Sequence, residues 1–207
     1  MHKVAFSGTS GSGKTTLVQF AAQKMGLKHI SGSAGDLKTE QDKMILHDEP
    51  YNYPGGGHAA VIRYSALNKD YGRLNQEMLM TRRMEMIFKN QDFITDRSPA
   101  DNLVYAIMQV GYQENDAWVE KHAARALAAW EDLTHVIYIK AVQPNAIEKN
   151  DRRVDNKWFQ KTIDAAFDYW VSNFFIPNAG DLGPKVLVID YWDLEQRKEN
   201  VLKFLRS

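Results

Sequence analysis

The residues with the clearest chemical potential form one run near the amino terminus, Gly8–Thr15, with the sequence GTSGSGKT. This run satisfies the pattern G-x-x-x-x-G-K-[ST] without a mismatch. Its glycines permit backbone angles that turn successive N–H groups into one concavity, which suits phosphate oxygens. The lysine adds a compact positive charge, and the threonine that follows adds a hydroxyl that can ligate a divalent cation. The run, called the phosphate loop below, therefore predicts a binding site for a nucleoside triphosphate.

The context of the phosphate loop favours this interpretation over a chance glycine-rich turn. The apolar run His2–Ser7 precedes the loop and predicts a strand, while Lys14–Gly26 follows it with a helical pattern. Unpaired N–H groups and the positive dipole end of that helix would face the phosphates. We expect Lys14 to bridge the β- and γ-phosphates of ATP and Thr15 to ligate Mg²⁺. The predicted ATP-binding residues are Gly8, Ser10, Gly11, Ser12, Gly13, Lys14, Thr15 and Thr16.

A second chemically suggestive segment, Asp96–Ser98 (Asp-Arg-Ser), follows the apolar run Phe93–Thr95. Water-activating ATPases need Asp-Glu at the end of such a strand, but arginine follows the aspartate here and cannot act as a base. This argues against a motor or a helicase. Neither Asn68–Lys69 nor Asn156–Lys157 is followed by aspartate at the spacing of the guanine-binding pattern Asn-Lys-x-Asp, which argues against a GTPase. An ordinary Asp–Arg ion pair in a surface turn is the simpler alternative.

A third segment, Lys149–Asp155, carries three basic side chains and interrupts the largely helical region Asn145–Phe175. Its basic residues are Lys149, Arg152 and Arg153. A charge run of this kind is by default a solvated surface. Its position after the fourth predicted strand gives it a second interpretation, which depends on the family that the chain resembles.

Together these segments resemble the P-loop NTPase superfamily, and within it the nucleoside and nucleotide kinases of the thymidylate-kinase and deoxynucleoside-kinase groups, including small phage P-loop kinases. The resemblance implies that Asp96 takes part in metal–water ligation or acts as base toward the acceptor, and that Arg97 binds phosphate. It also implies a mobile lid, about residues 145–160, that closes over the triphosphate and excludes water. The residues thereby assigned to catalysis are Lys14, Asp96, Arg97, Arg152 and Arg153, and those assigned to the metal are Thr15 and Asp96.

The acceptor side falls on a long irregular stretch, about residues 31–72, and loops of this length are usually functional or disordered. Its carboxylates could accept a hydroxyl proton or bind a sugar hydroxyl. The candidates are Asp36, Asp48 and Glu49, of which we select Asp36 and Glu49. Kinases of the family often place an arginine toward the acceptor on the next helix, and of the neighbours Arg82 and Arg83 we favour Arg82. Each of these residues is otherwise an ordinary surface residue.

Five apolar runs predict strands that alternate with helices along one domain, residues 1–207. These runs are His2–Ser7, Leu27–Ile30, Phe93–Thr95, His135–Ala141 and Lys185–Asp190. Such alternation predicts an α/β fold with a five-stranded parallel sheet and helices on both faces, a three-layer sandwich similar to that of the P-loop kinases. The site of such a fold lies at the carboxyl ends of the strands. Both the phosphate loop and Asp96 fall at such ends.

The composition narrows the class of protein further. The 207 residues include 26 Lys and Arg against 26 Asp and Glu, so the formal net charge is zero. This balance excludes a generally basic nucleic-acid coat, though not a local basic groove. Cysteine is absent, which excludes disulfide scaffolds and thiol nucleophiles, and the histidines show no metal-ligand spacing. No apolar run reaches the roughly 20 residues that cross a bilayer. We expect a protein of the cytoplasm, or of the host cytoplasm if it is phage-encoded, with no membrane partner.

Three functions stay open at this point. The leading one is an ATP-dependent kinase that transfers the γ-phosphoryl group to a nucleoside or nucleotide, similar to a deoxynucleoside monophosphate kinase. The second is a DNA kinase acting on a 5′ end or on a hydroxymethylated base such as 5-hydroxymethyluracil, which needs a wide acceptor cleft that the stretch 31–72 could build. The third is an ATP-hydrolysing regulatory module in which Asp96 and the lid are structural. The sequence predicts no oligomeric state.

Overall fold

Five short strands form one parallel sheet in the computed structural model, which describes residues 1–9, 11–46, 68–111, 115–140 and 157–207. The strands are β1 (Lys3–Ser7), β2 (Lys28–Ile30), β3 (Phe93–Thr95), β4 (His135–Ile139) and β5 (Lys185–Ile189). Their order across the sheet is β2-β3-β1-β4-β5, and every neighbouring pair is parallel. The predicted five-stranded parallel sheet is therefore confirmed.

Helices connect the strands and cover the sheet. They are α1 (Lys14–Met25), α2 (Ala34–Leu37), α3 (Glu40–Ile45), α4 (Lys69–Lys89), α5 (Pro99–Gln109), α6 (Asp116–Glu131), α7 (Lys157–Trp170), α8 (Ile176–Ala179) and α9 (Leu194–Leu205). A π-helical turn, Val171–Phe175, joins α7 to α8, and a short 3₁₀ turn, Gly180–Leu182, follows α8. Each connection between neighbouring parallel strands thus runs through helix, as parallel pairing requires.

Two hydrophobic clusters lie on opposite faces of the sheet, which makes the three layers. Successive residues of a strand point to opposite faces, and in β1 Ala5 belongs to one cluster while Val4 and Phe6 belong to the other. Helices α1 and α9 pack beside each other and cover the Phe6 face. Helices α4 to α7 and the π-helical turn cover the Ala5 face, whose large buried side chains include Trp130, Phe167 and Phe175. Because both faces are covered, β1, β3 and β4 are buried along their whole length.

The stretch about 31–72 is more regular than its composition predicts. Its described part contains α2, α3 and the first turn of α4, while residues 47–67 lie outside the described residues. Local capping explains the two short helices. The Ser33 hydroxyl accepts the Asp36 N–H at the start of α2, and Thr39 and Asp42 form a reciprocal capping box at the start of α3. Such caps satisfy N–H groups that a helix start leaves unpaired.

The carboxyl ends of β1, β2, β3 and β4 meet at one edge of the sheet, because all the strands are parallel. Gly8, Ser31, Asp96 and Lys140 are the first residues beyond those ends. This edge therefore brings the phosphate loop close to the Asp96–Ser98 turn, as the sequence predicts. None of the described helices combines the length and the apolar composition needed to cross a membrane.

Candidate active site

The phosphate loop leaves β1 in a conformation that only glycine can adopt at its first position. Gly8 has a φ of 131°, and a Cβ atom there would lie 2.3 Å from the carbonyl oxygen of Ile139 at the end of β4. Gly13, with a φ of 87°, precedes α1, and no described side chain caps the start of that helix. The first N–H groups of α1 are therefore turned toward the loop, as an anion-binding helix start requires.

The Lys14 ammonium lies inside the phosphate loop. Its side chain is only 6% exposed, and Nζ donates to the Gly8 carbonyl at 2.6 Å and to the Thr9 carbonyl. The Ser12 hydroxyl is 3.3 Å away. Because these carbonyls belong to the phosphate loop, the contacts hold the Lys14 ammonium at the concavity in which phosphate oxygens would bind. Ser10 lies outside the described residues.

Two side chains that are distant in the chain lie near the phosphate loop, and the sequence predicts neither of them as a site residue. Arg197 of α9 is buried and donates from Nη1 to the Ser12 carbonyl at 2.8 Å and from Nε to the Tyr191 carbonyl at 2.6 Å. Asp164 of α7 is half-buried. Burial raises the pKa of the Asp164 carboxyl, while the Thr9 side chain and the charge of Lys14 oppose that rise. No local pattern marks either residue, because both act across many intervening residues.

The Asp96–Ser98 turn is attached to the end of β2. Asp96 is half-buried, and its Oδ1 accepts the N–H of Gly32 at 2.7 Å. The approach leaves no room for a side chain at Gly32, since a Cβ there would lie 2.7 Å from Arg97 Cβ and 2.8 Å from Thr95 Oγ1. The carboxylate that the sequence selects is thus held in one orientation by backbone.

The planar guanidinium of Arg97 is held along one edge by Asp101 and against one face by Tyr105. Its Nη1 donates to Oδ1 of Asp101 at 2.9 Å, and its guanidinium carbon lies 5.8 Å from the centre of the Tyr105 ring. Arginine remains cationic at any physiological pH and presents five donors in a planar fork. A partly exposed guanidinium in this position, beside the phosphate loop, is suited to a phosphate group. Asp101 was not among the predicted site residues, although its spacing from Ser98 is that of a capping box.

The two neighbouring arginines of α4 point to different partners. Arg83 is buried and donates to the Gly32 carbonyl at 2.6 Å, to the Arg97 carbonyl at 2.9 Å, and to the Asn102 side chain. Burial lowers the pKa of Arg83 to about 10, so it remains cationic at neutral pH. The structure therefore brings Arg83 to the Asp96–Ser98 turn.

Arg82, the arginine that the sequence analysis favoured, faces α3 instead. It forms a two-pronged pair with Asp42, at 2.8 Å from Nε and 2.9 Å from Nη2, and a further pair with Glu85 at 2.9 Å. The Arg82 hydrogen bonds hold the pKa of the Asp42 carboxyl below its ordinary range. The acceptor-binding role of Arg82 stays a prediction, and in this structure its guanidinium is engaged by these two carboxylates.

Of the remaining site residues that the sequence predicts, some lie within the described part of the structure and others lie outside it. Asp36 accepts hydrogen bonds from Ser31 Oγ at 2.6 Å and from Ser33 Oγ at 2.8 Å, and these bonds lower the pKa of its carboxyl. It lies on the segment that carries Gly32 toward Asp96. Thr15 and Thr16 are exposed in the first turn of α1. Glu49, Arg152 and Arg153, with most of the predicted lid, lie outside the described residues.

The predicted metal ligands suit Mg²⁺ in kind. Thr15 offers a hydroxyl and Asp96 a carboxylate, and Mg²⁺ binds such oxygen ligands together with water and substrate phosphates. Within the described ranges, no group of three or more histidine, aspartate or glutamate side chains is arranged to hold a metal ion. Thr15 and Asp96 stay the predicted ligands.

Comparisons with known proteins assign the fold. No protein-family model matches the chain, and a search of curated proteins found no match. Among solved structures, the chain is similar to a deoxyadenosine kinase from M. mycoides with bound dCTP, with a TM-score of 0.62 and 17% identity over 99% of this chain and 98% of that one. It is also similar to the thymidylate kinase from Candida albicans, with a TM-score of 0.62 and 14% identity over 99% and 91% of the two chains. A shikimate kinase from Acinetobacter baumannii gives a TM-score of 0.51 and 10% identity over 99% and 93%.

These likenesses extend over nearly the whole chain. The protein has the P-loop fold of the small nucleoside and nucleotide kinases, which confirms the resemblance drawn from the phosphate loop and the Asp96–Ser98 turn. At these identities the likeness concerns the fold alone, so activity and substrate are argued from the site.

Proposed function

We propose that the protein is an ATP-dependent phosphotransferase that moves the γ-phosphoryl group to a nucleoside or nucleotide. The observation that carries the proposal is that the phosphate loop and the Asp96–Ser98 turn lie at the same edge of the sheet. The phosphate loop holds Lys14 within its concavity, and the neighbouring turn holds Asp96 and Arg97 in fixed orientations. Phosphoryl transfer needs little covalent chemistry from the protein, so positioning and charge neutralisation supply most of the catalysis.

Each side chain has a definite task in this proposal. The start of α1 and Lys14 bind the β- and γ-phosphates, and Arg97 binds the transferring or acceptor phosphate. Bound Mg²⁺ would neutralise phosphate charge, with Thr15 and Asp96 as its protein ligands. Arg152 and Arg153 of the lid would close over the triphosphate and exclude water, which otherwise competes with the acceptor. In this proposal Lys14, Arg97 and the lid arginines would together neutralise the charge of the phosphates.

Among the described residues, two carboxylates are candidates to accept the proton of the acceptor hydroxyl. Asp96 is held by the Gly32 N–H and would serve either the metal or the proton. Asp36 is ionised at neutral pH because two serine hydroxyls lower its pKa, so it can accept a proton or bind a sugar hydroxyl. Glu49 and Arg82 complete the acceptor residues that we propose from the sequence.

The nucleoside or nucleotide acceptor is favoured over DNA for two reasons. The fold is that of a deoxyadenosine kinase and a thymidylate kinase, and the formal net charge of zero gives no general attraction to a polyanion. We place the activity in the cytoplasm, where ATP and nucleotides are available. DNA phosphorylation and simple ATP hydrolysis are outcomes of the test below.

The test supplies γ-labelled ATP and Mg²⁺ with three acceptor pools: nucleosides, nucleoside monophosphates, and DNA with ordinary or hydroxymethylated bases. We expect label in one of the first two pools with the wild type and none with Lys14→Ala. The matched control is Lys24→Ala, an exposed lysine in the last turn of the same helix, which should transfer normally. Label in DNA would replace the nucleotide acceptor with a nucleic acid, and label only in free phosphate would reduce the protein to an ATP hydrolase.

A further inference from the structure

The Asp101 carboxylate, on the first turn of α5, joins three parts of the site. It is 2% exposed. Its Oδ2 accepts hydrogen bonds from Ser7 Oγ at 3.0 Å, Ser98 Oγ at 2.9 Å and Ser98 N at 2.9 Å. Its Oδ1 accepts Nη1 of Arg97 at 2.9 Å. One buried carboxylate thus connects the last residue of β1, the Asp96–Ser98 turn and the start of a helix.

A helix cap alone does not account for these contacts. The capping box of α5 needs only two hydrogen bonds, from the Asp101 N–H to the Ser98 hydroxyl and from the Ser98 N–H to Oδ2. The Arg97 bond uses the other oxygen, and the Ser7 bond reaches a strand 94 residues away in the sequence. Ser7 is the residue immediately before the phosphate loop. Asp101 therefore relates the position of the Arg97 guanidinium to the strand end from which that loop begins.

The contacts with Asp101 and Tyr105 orient the Arg97 guanidinium in addition to balancing its charge. Asp101 occupies one of its five donors, and Tyr105 lies against its guanidinium at 5.8 Å. The side chain is still 19% exposed, so it keeps an accessible surface toward the sheet edge. Arginine binds phosphate best when its planar fork meets two oxygens together. A fork that rotates freely would lose that geometry.

We infer that Asp101 is a positioning residue, which sets the Arg97 guanidinium for the phosphate and ties it to the end of β1. The inference rests on the proposed function, because Arg97 is its phosphate-binding residue. Its effect on the reaction passes through Arg97. Loss of Asp101 should therefore matter only while the guanidinium is present.

The kinetic test is a double-mutant cycle between Asp101→Asn and Arg97→Gln. Asparagine keeps the shape of aspartate but loses the charge, and misplacement of Arg97 should lower kcat on the order of ten- to a hundredfold, with little change in KM for ATP. In the Arg97→Gln background the same change should cost nothing further. Equal losses in both backgrounds would show a merely structural role and overturn the inference. Asp132→Asn is the matched control, since Asp132 pairs with Lys3 at 2.6 Å at the other end of β1, and its kcat should be unchanged.

A second measurement separates this inference from the proposed function. The Nε–Hε NMR signal of Arg97, assigned by its loss in Arg97→Gln, should shift and broaden in Asp101→Asn and stay in place in Asp132→Asn. An unchanged Arg97 signal in Asp101→Asn would overturn the positioning role whatever the activity. If the wild type transfers phosphate to no acceptor, the proposed function fails and the NMR signal alone decides the positioning role. Should Asp101→Asn not fold, Asp101→Glu keeps the charge and the helix cap, and the Arg97 signal must shift in it for the inference to stand.

Discussion

The N–H of Gly32 donates to Oδ1 of Asp96 at 2.7 Å and thereby joins the ends of β2 and β3. The carbonyl of the same residue accepts Nη2 of Arg83 at 2.6 Å. Gly32 is thus bonded on both sides of its backbone to charged groups of the site, although the sequence shows only a glycine between two serines. The orientation of Asp96 depends on this close approach.

Gly32→Ala should therefore damage both stability and activity. The new methyl group would lie 2.7 Å from Arg97 Cβ and 2.7 Å from Arg83 Nη1, and such overpacking costs about 1–3 kcal/mol. We expect a lower free energy of unfolding in urea and a lower turnover, because relief of the clash moves Asp96 or Arg97. The control is Gly35→Ala in α2, where a Cβ meets nothing within 4 Å. Equal stability of the two variants would contradict the close approach at Gly32.

Thr15→Val should be much worse than Thr15→Ser. Serine keeps the hydroxyl that ligates Mg²⁺, whereas valine keeps the shape of threonine and loses the oxygen. We expect Thr15→Val to have turnover lower by about a hundredfold, since metal stabilisation of phosphate charge contributes several kcal/mol. Thr15 is exposed, so neither variant should lose stability. Turnover measured over a range of Mg²⁺ concentrations checks this, and similar turnover of the two would remove Thr15 from the metal site.

Asp96→Asn should abolish most turnover and leave ATP binding nearly intact. The amide can still accept the Gly32 N–H, so the turn survives, but the charge that serves the metal or the acceptor proton is lost. Loss of such a group costs about 10²–10⁴-fold. Arg97→Lys should also be poor, because lysine keeps the charge without the planar fork. Turnover and ATP affinity are measured on the same folded samples, and near-normal turnover in both variants would mean that the chemistry lies elsewhere.

The burial of His122 should make the free energy of unfolding decrease at acidic pH. Burial lowers its pKa to about 4, only partly offset by Glu77, and within the described residues its ring nitrogens have no hydrogen-bond partner. A histidine of the unfolded chain has a pKa of about 6.5 and therefore binds a proton more readily than His122 does in the folded protein. The free energy of unfolding therefore falls as the pH drops from about 6.5 toward 4. The contribution of His122 to this fall between pH 7 and pH 5 is about 2 kcal/mol.

The measurement is the free energy of unfolding at pH 7 and at pH 5 for the wild type and for His122→Phe. Phenylalanine keeps the stacked contact with Trp118, whose ring lies 5.0 Å from that of His122. We expect the variant to lose less stability than the wild type over this interval. An identical pH dependence would mean that His122 takes up no proton on unfolding. Among the described residues a second histidine, His135, is also buried and also has a pKa of about 4 because of burial, so it should leave a residual pH dependence in both proteins.

The parts of this protein that its sequence determined are those governed by near neighbours in the chain. The phosphate loop is one contiguous run whose glycines, lysine and helix start interact within a few residues. The strands appeared as apolar runs because a sheet covered on both faces needs apolar residues on each side. The same logic identified Asp96 and Arg97 at a strand end. Even the short helices α2 and α3, which the composition concealed, carry local caps at Ser33 and Thr39 that could have revealed them.

Only the tertiary structure decided which distant side chains complete the site. Arg82 and Arg83 are adjacent in the sequence, but successive helical residues lie about 100° apart around the helix axis. The packing of α4 directs Arg83 toward the Asp96–Ser98 turn and Arg82 toward α3. Arg197 reaches Ser12 across 185 residues, and Asp101 reaches Ser7 across 94. Such contacts depend on how the layers of the sandwich stack, and stacking is set by the burial of many residues together. No short run of sequence contains that information.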